Sequence, residues 1–227
     1  MISMNYYDKT TIRTGEALHK ILMSYTDKKL YEIRQEFEIP GGGIQGKVKL
    51  VNMLEDGIRS IFKKRIYYLD YERYCILRHI SDNGEINESF GDKDLYAFMN
   101  IGMVFESTEM GKEIIVIPSD LIDIFREHDG KELEANAREN SELFVLINGC
   151  LNSYGLIDYA GLFEIVGSHS DICLDDNRFR RALKECEALH GMILPEDDFV
   201  FSRSFDNPSY FVDEQAKFKE LGYKEFT

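Results

Sequence analysis

KLYEIRQEFEIPGGGIQGKVKLVNMLEDGIRSIF, residues 29–62, is the stretch whose reading decides the fold. Leu30, Ile33 and Phe37 recur at helical spacing after Thr26-Asp27, a pair suited to capping a helix start. Pro40 has no backbone N–H to donate and Gly41-Gly42-Gly43 favours no helix, so the first helix stops there. Gly46-Lys47 opens a longer helix whose apolar face is Leu50, Val51, Leu54, Ile58 and Ile61. The stretch predicts a helix, an extended glycine-rich loop and a second helix.

Working outward, Thr14 is placed to cap a helix bearing Leu18, Ile21, Leu22 and Tyr25. Downstream, residues 70–79 read as a helix and Asp82-Asn83-Gly84 as a turn. A helix over 92–100 carries Leu95, Phe98 and Met99 and ends at Gly102. Met103-Val104-Phe105 and Ile114-Ile115-Val116-Ile117 flank Glu109-Met110-Gly111-Lys112, the pattern of a hairpin, and Pro118 opens a helix over 119–127. Residues 127–140 read as an acidic linker. Helices then follow over 141–153, around 159–166 and over 177–190, the last capped by Asp175 or Asp176 and ended by Gly191. Met192-Ile193-Leu194 and Phe199-Val200-Phe201 flank Pro195-Glu196-Asp197-Asp198 as a second hairpin, and a helix over 209–221 closes the chain. Helix, turn, helix, hairpin occurs twice, which is the order of a winged helix. The expected fold is mainly α with small β-hairpins (α+β). A helix–loop–helix module over 1–66 precedes winged-helix-like units over 67–130 and 131–227.

Residues 29–54 carry a resemblance through Leu30, Ile33, Phe37, Ile39, Gly46, Lys47, Leu50, Val51 and Leu54. The segment resembles SAP domains and the N-terminal domain of the Rho termination factor, in which two short helices flank an extended loop and a lysine starts the second. That resemblance covers roughly 35 residues and implies contact with nucleic acid. This loop is richer in glycine than the family pattern. The whole order is also similar to that of uncharacterised cytoplasmic proteins of low-GC Gram-positive bacteria, a likeness that implies no activity.

Charge sharpens where such contact falls. The chain has a net charge of -14, yet residues 1–70 are net +3, with 12 basic and 9 acidic side chains. Residues 71–130 are net -8 and residues 131–227 net -9. An acidic surface repels a phosphate backbone, so contact is expected from the N-terminal module or a local basic face. Glycines allow close backbone approach and a helix start attracts anions. The candidate residues there are Gly42, Gly43, Gly46, Lys47 and Lys49, extended by Lys63, Lys64 and Arg65. The plain alternative is a flexible connector beside a solvated helix face. In the first winged-helix-like unit the helix before the hairpin begins Gly91-Asp92-Lys93-Asp94, whose carboxylates oppose phosphate. In the second, Arg178, Arg181 and Lys184 stand at i, i+3 and i+6, away from the apolar Phe179, Leu183 and Cys186. Arg178 and Arg181 are therefore candidates too, although Asp175, Asp176, Glu185 and Glu187 surround them and Arg181 and Glu185 have ion-pair spacing.

Catalytic and metal chemistry find little support in the sequence. No GxSxG, HExxH or phosphate-binding P-loop occurs; residues 41–48 have Lys after Gly, but lack the Ser/Thr and follow a helix. The acidic run Glu196-Asp197-Asp198 sits in a turn. His169, Cys173, Cys186 and His190 have spacings that can ligate zinc, but Cys186 falls on an apolar helix face, where a thiol acts as a small hydrophobe. No metal and no cofactor is expected. No run of about 18 apolar residues spans a membrane, and the start lacks an apolar signal core, so a cytoplasmic protein with free thiols is expected. The function expected is non-enzymatic association with DNA or RNA, open to a regulatory role, with a protein partner on the acidic body. The alternative is a protein–protein adaptor with no nucleic-acid contact. A site built from dispersed residues, hence an enzyme, is the weakest of the three.

Overall fold

The computed structural model describes residues 12–41, 46–86, 95, 97–99, 102–109, 112–170, 172–190, 193–196 and 199–202. It is mainly helical, with short strands in two small sheets. The chain forms two compact units, Met1–Ser141 and Glu142–Thr227. The sequence boundaries at 66/67 and 130/131 both fall inside the first unit.

In the first unit β1 (Ile12–Gly15) leads into α1 (Leu18–Ser24), α2 (Asp27–Glu36) and α3 (Lys47–Arg65). A 3-10 turn, Ile66–Tyr68, joins α3 to α4 (Tyr71–Asn83). Then come β2 (Glu85–Ile86), β3 (Phe105–Glu109), β4 (Lys112–Pro118), α5 (Ser119–His128) and α6 (Lys131–Tyr154), which crosses into the second unit. Thr26 caps α2 as expected, its hydroxyl accepting from Lys29 N–H. Asp70 caps α4 in the same way, accepting from Arg73 N–H at 2.9 Å. The apolar face read from residues 50–61 is buried at Leu50, Val51, Leu54 and Ile58, while Phe62 rather than Ile61 completes it. This face makes α3 the centre of the unit, packed against α1, α2 and α5. Each fully buried Leu, Ile or Phe contributes about 1.5–3 kcal/mol against leaving it exposed.

Two expectations are corrected. Thr14 does not cap α1. It lies in β1, which pairs in parallel with β4 and antiparallel with β2, giving the sheet order β2-β1-β4-β3. The cap of α1 comes instead from 102 residues away, where Asp120 Oδ1 accepts from Leu18 N–H at 2.9 Å. Residues 131–140 are not a linker but the first turns of α6. Their charged composition masks one inward face, Leu133, Ala137 and Asn140. The Asn140 side-chain amide donates to the carbonyls of Tyr67 at 2.9 Å and Leu69 at 3.0 Å, so the one buried amide on that face is satisfied.

In the second unit α6 ends and β5 (Leu156–Asp158), α7 (Tyr159–His169), α8 (Asp176–His190), β6 (Ile193–Glu196) and β7 (Phe199–Ser202) follow. Its sheet order is β5-β7-β6, all antiparallel. The order α4, β2, β3, β4 has a counterpart in α6, β5, β6, β7. Gly84 and Gly155 each close the leading helix at positive φ, 80° and 74°, with an N–H bond of 2.8 Å to the fourth residue back. The difference is β1: it separates β2 from β4 in the first sheet, whereas β5 pairs directly with β7 in the second. Most of the helix expected over 92–100 and all of the helix expected over 209–221 lie outside the described residues. Leu95, Ala97, Phe98 and Met99 are helical, and Gly102 ends that turn with φ 74° as expected.

Candidate nucleic-acid interface

α2 and the residues that follow it pack against α3 through buried side chains, Leu30, Ile33 and Ile39 among them. After α2, Glu38 N–H bonds Gln35 O and Ile39 N–H bonds Arg34 O, which turns the chain away from the helix axis. Ile39, 6% exposed, then seats against α3 at Gly57, where a β-carbon would stand 2.8 Å from Ile39 Cδ1. Gly42 and Gly43 lie outside the described residues. Gly46 is the N-cap of α3 with φ 96° and offers no side-chain cap, and no acidic residue stands in the first turn.

The solvent face of α3 carries Val48, Lys49, Asn52, Asp56, Ser60, Lys63 and Lys64, all exposed. Lys49 and Lys63 share it across two heptads, about 21 Å apart at 1.5 Å per residue. Lys47 does not share it. At 100° per residue it stands roughly 160° around the helix from Lys49, and it is half-buried. Lys63, Lys64 and Arg65 form the last turn, where cations also offset the negative end of the helix dipole. The other acid of the central turns, Glu55, is turned inward. It bonds His19 Nδ1 at 2.8 Å and Arg59 Nη2 at 2.7 Å, and Arg59 Nη2 reaches on to Asp120 Oδ2 at 2.6 Å. Asp56 is thus the acid left on that face.

In the second unit Phe179, Ala182, Leu183 and Cys186 of α8 are buried. Phe179 meets the rings of Tyr159 and Phe163 with centroids 5.4 and 5.3 Å away. That packing turns Asn177, Arg180, Arg181 and Lys184 to solvent, with Arg178 half-buried at their flank. The separation of basic and apolar faces read from the sequence holds. Arg178 is committed locally, its Nη1 donating to Cys173 O at 3.2 Å. Asp175 caps the helix, accepting from Arg178 N–H at 2.7 Å.

Asp176, one of the acids flanking the candidate arginines, is joined to Arg180, which is not among those candidates. Asp176 Oδ1 accepts from Tyr159 OH at 2.8 Å, and Asp176 Oδ2 accepts from Arg180 Nε at 2.9 Å. The Arg180 guanidinium also lies 4.1 Å over the Tyr159 ring. Hydrogen bonds from Arg180 and Tyr159 hold the Asp176 carboxyl below its usual value, while burial and the Asp176 bond push the Tyr159 hydroxyl up to about 12. The i, i+4 spacing of Asp176 and Arg180 was a visible signal; the arrival of Tyr159 from α7 was not. A similar clamp occurs in the first unit, where Arg138 lies 3.8 Å over the Tyr71 ring and bonds Glu134 at 2.8 Å.

Among the described residues, His169, Cys173 and Cys186 form no metal site. Cys186 is fully buried beside Phe179 and Leu183, Cys173 is exposed, and His169 Nδ1 lies 2.9 Å from Ile165 O at the exposed end of α7. The His190 side chain lies outside the described residues. Among the described residues no three His, Cys, Asp or Glu side chains stand together as a metal site, and no helix is long and apolar enough to cross a membrane. No protein-family model matches the chain, and no curated protein or solved structure matches it.

Proposed function

We propose that this is a non-enzymatic nucleic-acid-associated protein, with a SAP-like helix–loop–helix at α2–α3 and a winged-helix-like second unit. One observation carries the reading: in a chain of net charge -14, the solvent faces of α3 and α8 are both enriched in Lys or Arg. Lysines spaced along α3 suit phosphates, which are read without regard to sequence. The helix before the β6–β7 hairpin suits a duplex groove, with Arg181 and Lys184 toward the DNA. Titration of the full chain with duplex DNA, single-stranded DNA and RNA at about 50 mM salt tests it, since phosphate contacts are strongest at low salt. Binding should fall across all sequences in Lys49→Glu/Lys63→Glu, with the salt slope reduced by about 2. Absence of binding to all three at that salt rejects the reading.

The adaptor reading is favoured by a different surface. Between Glu142 and Asp158 the chain has no charged residue, and on the solvent side of α6 Val145 is 71% exposed beside Gly149. An uncharged, partly apolar face on an acidic protein fits a protein contact. It gains if nucleic-acid binding is absent.

A further inference from the structure

We propose that Arg180 is a positioning residue: it neutralises Asp176 at the start of α8, so that a phosphate backbone can approach Arg181 and Lys184. The inference rests on the nucleic-acid reading of α8. A carboxylate in the first turn of a groove-facing helix repels phosphate, and Asp176 is exposed. It is held on both oxygens, by the Tyr159 hydroxyl at 2.8 Å and by Arg180 Nε at 2.9 Å. The guanidinium is fixed by its stack 4.1 Å over the Tyr159 ring, and that ring is anchored against the buried Phe179. The charge of Asp176 is thereby paired in a fixed geometry, while Arg181 and Lys184, one and four residues beyond Arg180, face solvent. Arg180 acts on the ligand through Asp176, not by touching it.

Charge bookkeeping within the pair separates this role from direct contact and from a structural one. Affinity of the full chain for a short labelled duplex is measured by fluorescence anisotropy at about 50 mM salt. Arg180→Gln exposes the Asp176 charge and should weaken binding roughly threefold, the scale of one unscreened charge about 8 Å from a phosphate. Asp176→Asn removes the repulsion and should tighten binding by a similar factor. Arg180→Gln/Asp176→Asn should restore wild-type affinity even though the ion pair is gone. A double variant as weak as Arg180→Gln overturns the proposal, because Arg180 then touches phosphate or only holds the fold. Unchanged affinity in both single variants overturns it as well, and Asp176→Asn alone decides the matter if Arg180→Gln does not fold. Failure of the underlying reading is distinct: the wild-type chain itself then shows no binding.

Discussion

Ile39 rests on the bare Cα of Gly57: a β-carbon at position 57 would lie 2.8 Å from Ile39 Cδ1 and 3.0 Å from Ile39 Cγ1. Alanine is the better helix former by about 1 kcal/mol, so a surface glycine in α3 would gain from replacement. Here the crowding wins. Gly57→Ala should lower the stability of the first unit by about 1–3 kcal/mol, the usual penalty of overpacking. Urea denaturation checks this, and a rise in the midpoint contradicts the contact.

Glu38 follows α2 with φ 50°, the left-handed region that costs a side-chain-bearing residue about 1 kcal/mol. Its N–H and that of Ile39 close the helix, so the conformation is required. Glu38→Gly should stabilise by roughly 0.5–1 kcal/mol, measured by thermal unfolding, with no change in nucleic-acid affinity.

Asp120 accepts from Leu18 N–H with one oxygen and pairs with Arg59 through the other. Asp120→Ala should cost about 2–3 kcal/mol by removing a helix cap and leaving Arg59 with Glu55 alone. Asp120→Asn keeps an acceptor for Leu18 and should cost about half as much. Equal stability of Asp120→Ala and wild type in denaturant removes the cap from the account.

Tyr74, 1% exposed, donates to Asp129 Oδ1 at 2.7 Å. Burial first, and this bond second, push its hydroxyl up to about 12 from the ordinary 10.0. The fold favours the neutral phenol, so the contribution is complete below about pH 10 and fades as the pH rises toward 12. Across that window the wild type should lose about 3 kcal/mol that Tyr74→Phe does not lose. Tyr159 is shifted in the same direction, so the two proteins are compared at each pH by denaturation. Parallel pH profiles would contradict the assignment.

Local signals carried much of the fold. The caps Thr26 and Asp175, the end of helix at Gly102, and the buried faces of α3 and α8 all follow from spacing within a few residues, whereas the caps at Asp70 and Asp158 emerge only in the structure. The misread segments are those where a distant partner prevails. At Thr14 a local capping preference loses to a strand ladder with residues about 100 positions away. At 131–140 charged residues hide an inward face that is satisfied only by the carbonyls of Tyr67 and Leu69.

The candidate interface divides in the same way. Which lysines and arginines lie on α3 and α8 was legible. Their grouping was less so: Lys47 and Lys49 are neighbours in sequence yet lie on nearly opposite sides of α3, and Arg180 is diverted to Asp176.

By itself the sequence determined the helical class, the two hairpins and the basic character of α3 and α8, because caps and apolar periodicity act over one or two turns of backbone. Only the tertiary structure decided that β1 enters a sheet with β4, that Asp120 caps α1, and that Tyr159 and Arg180 hold Asp176. Those contacts join residues 17 to 103 positions apart, or depend on one that does, and no local preference encodes them. They form because packing of the buried faces, such as Phe179 on Tyr159, brings distant segments together and so sets which polar groups meet.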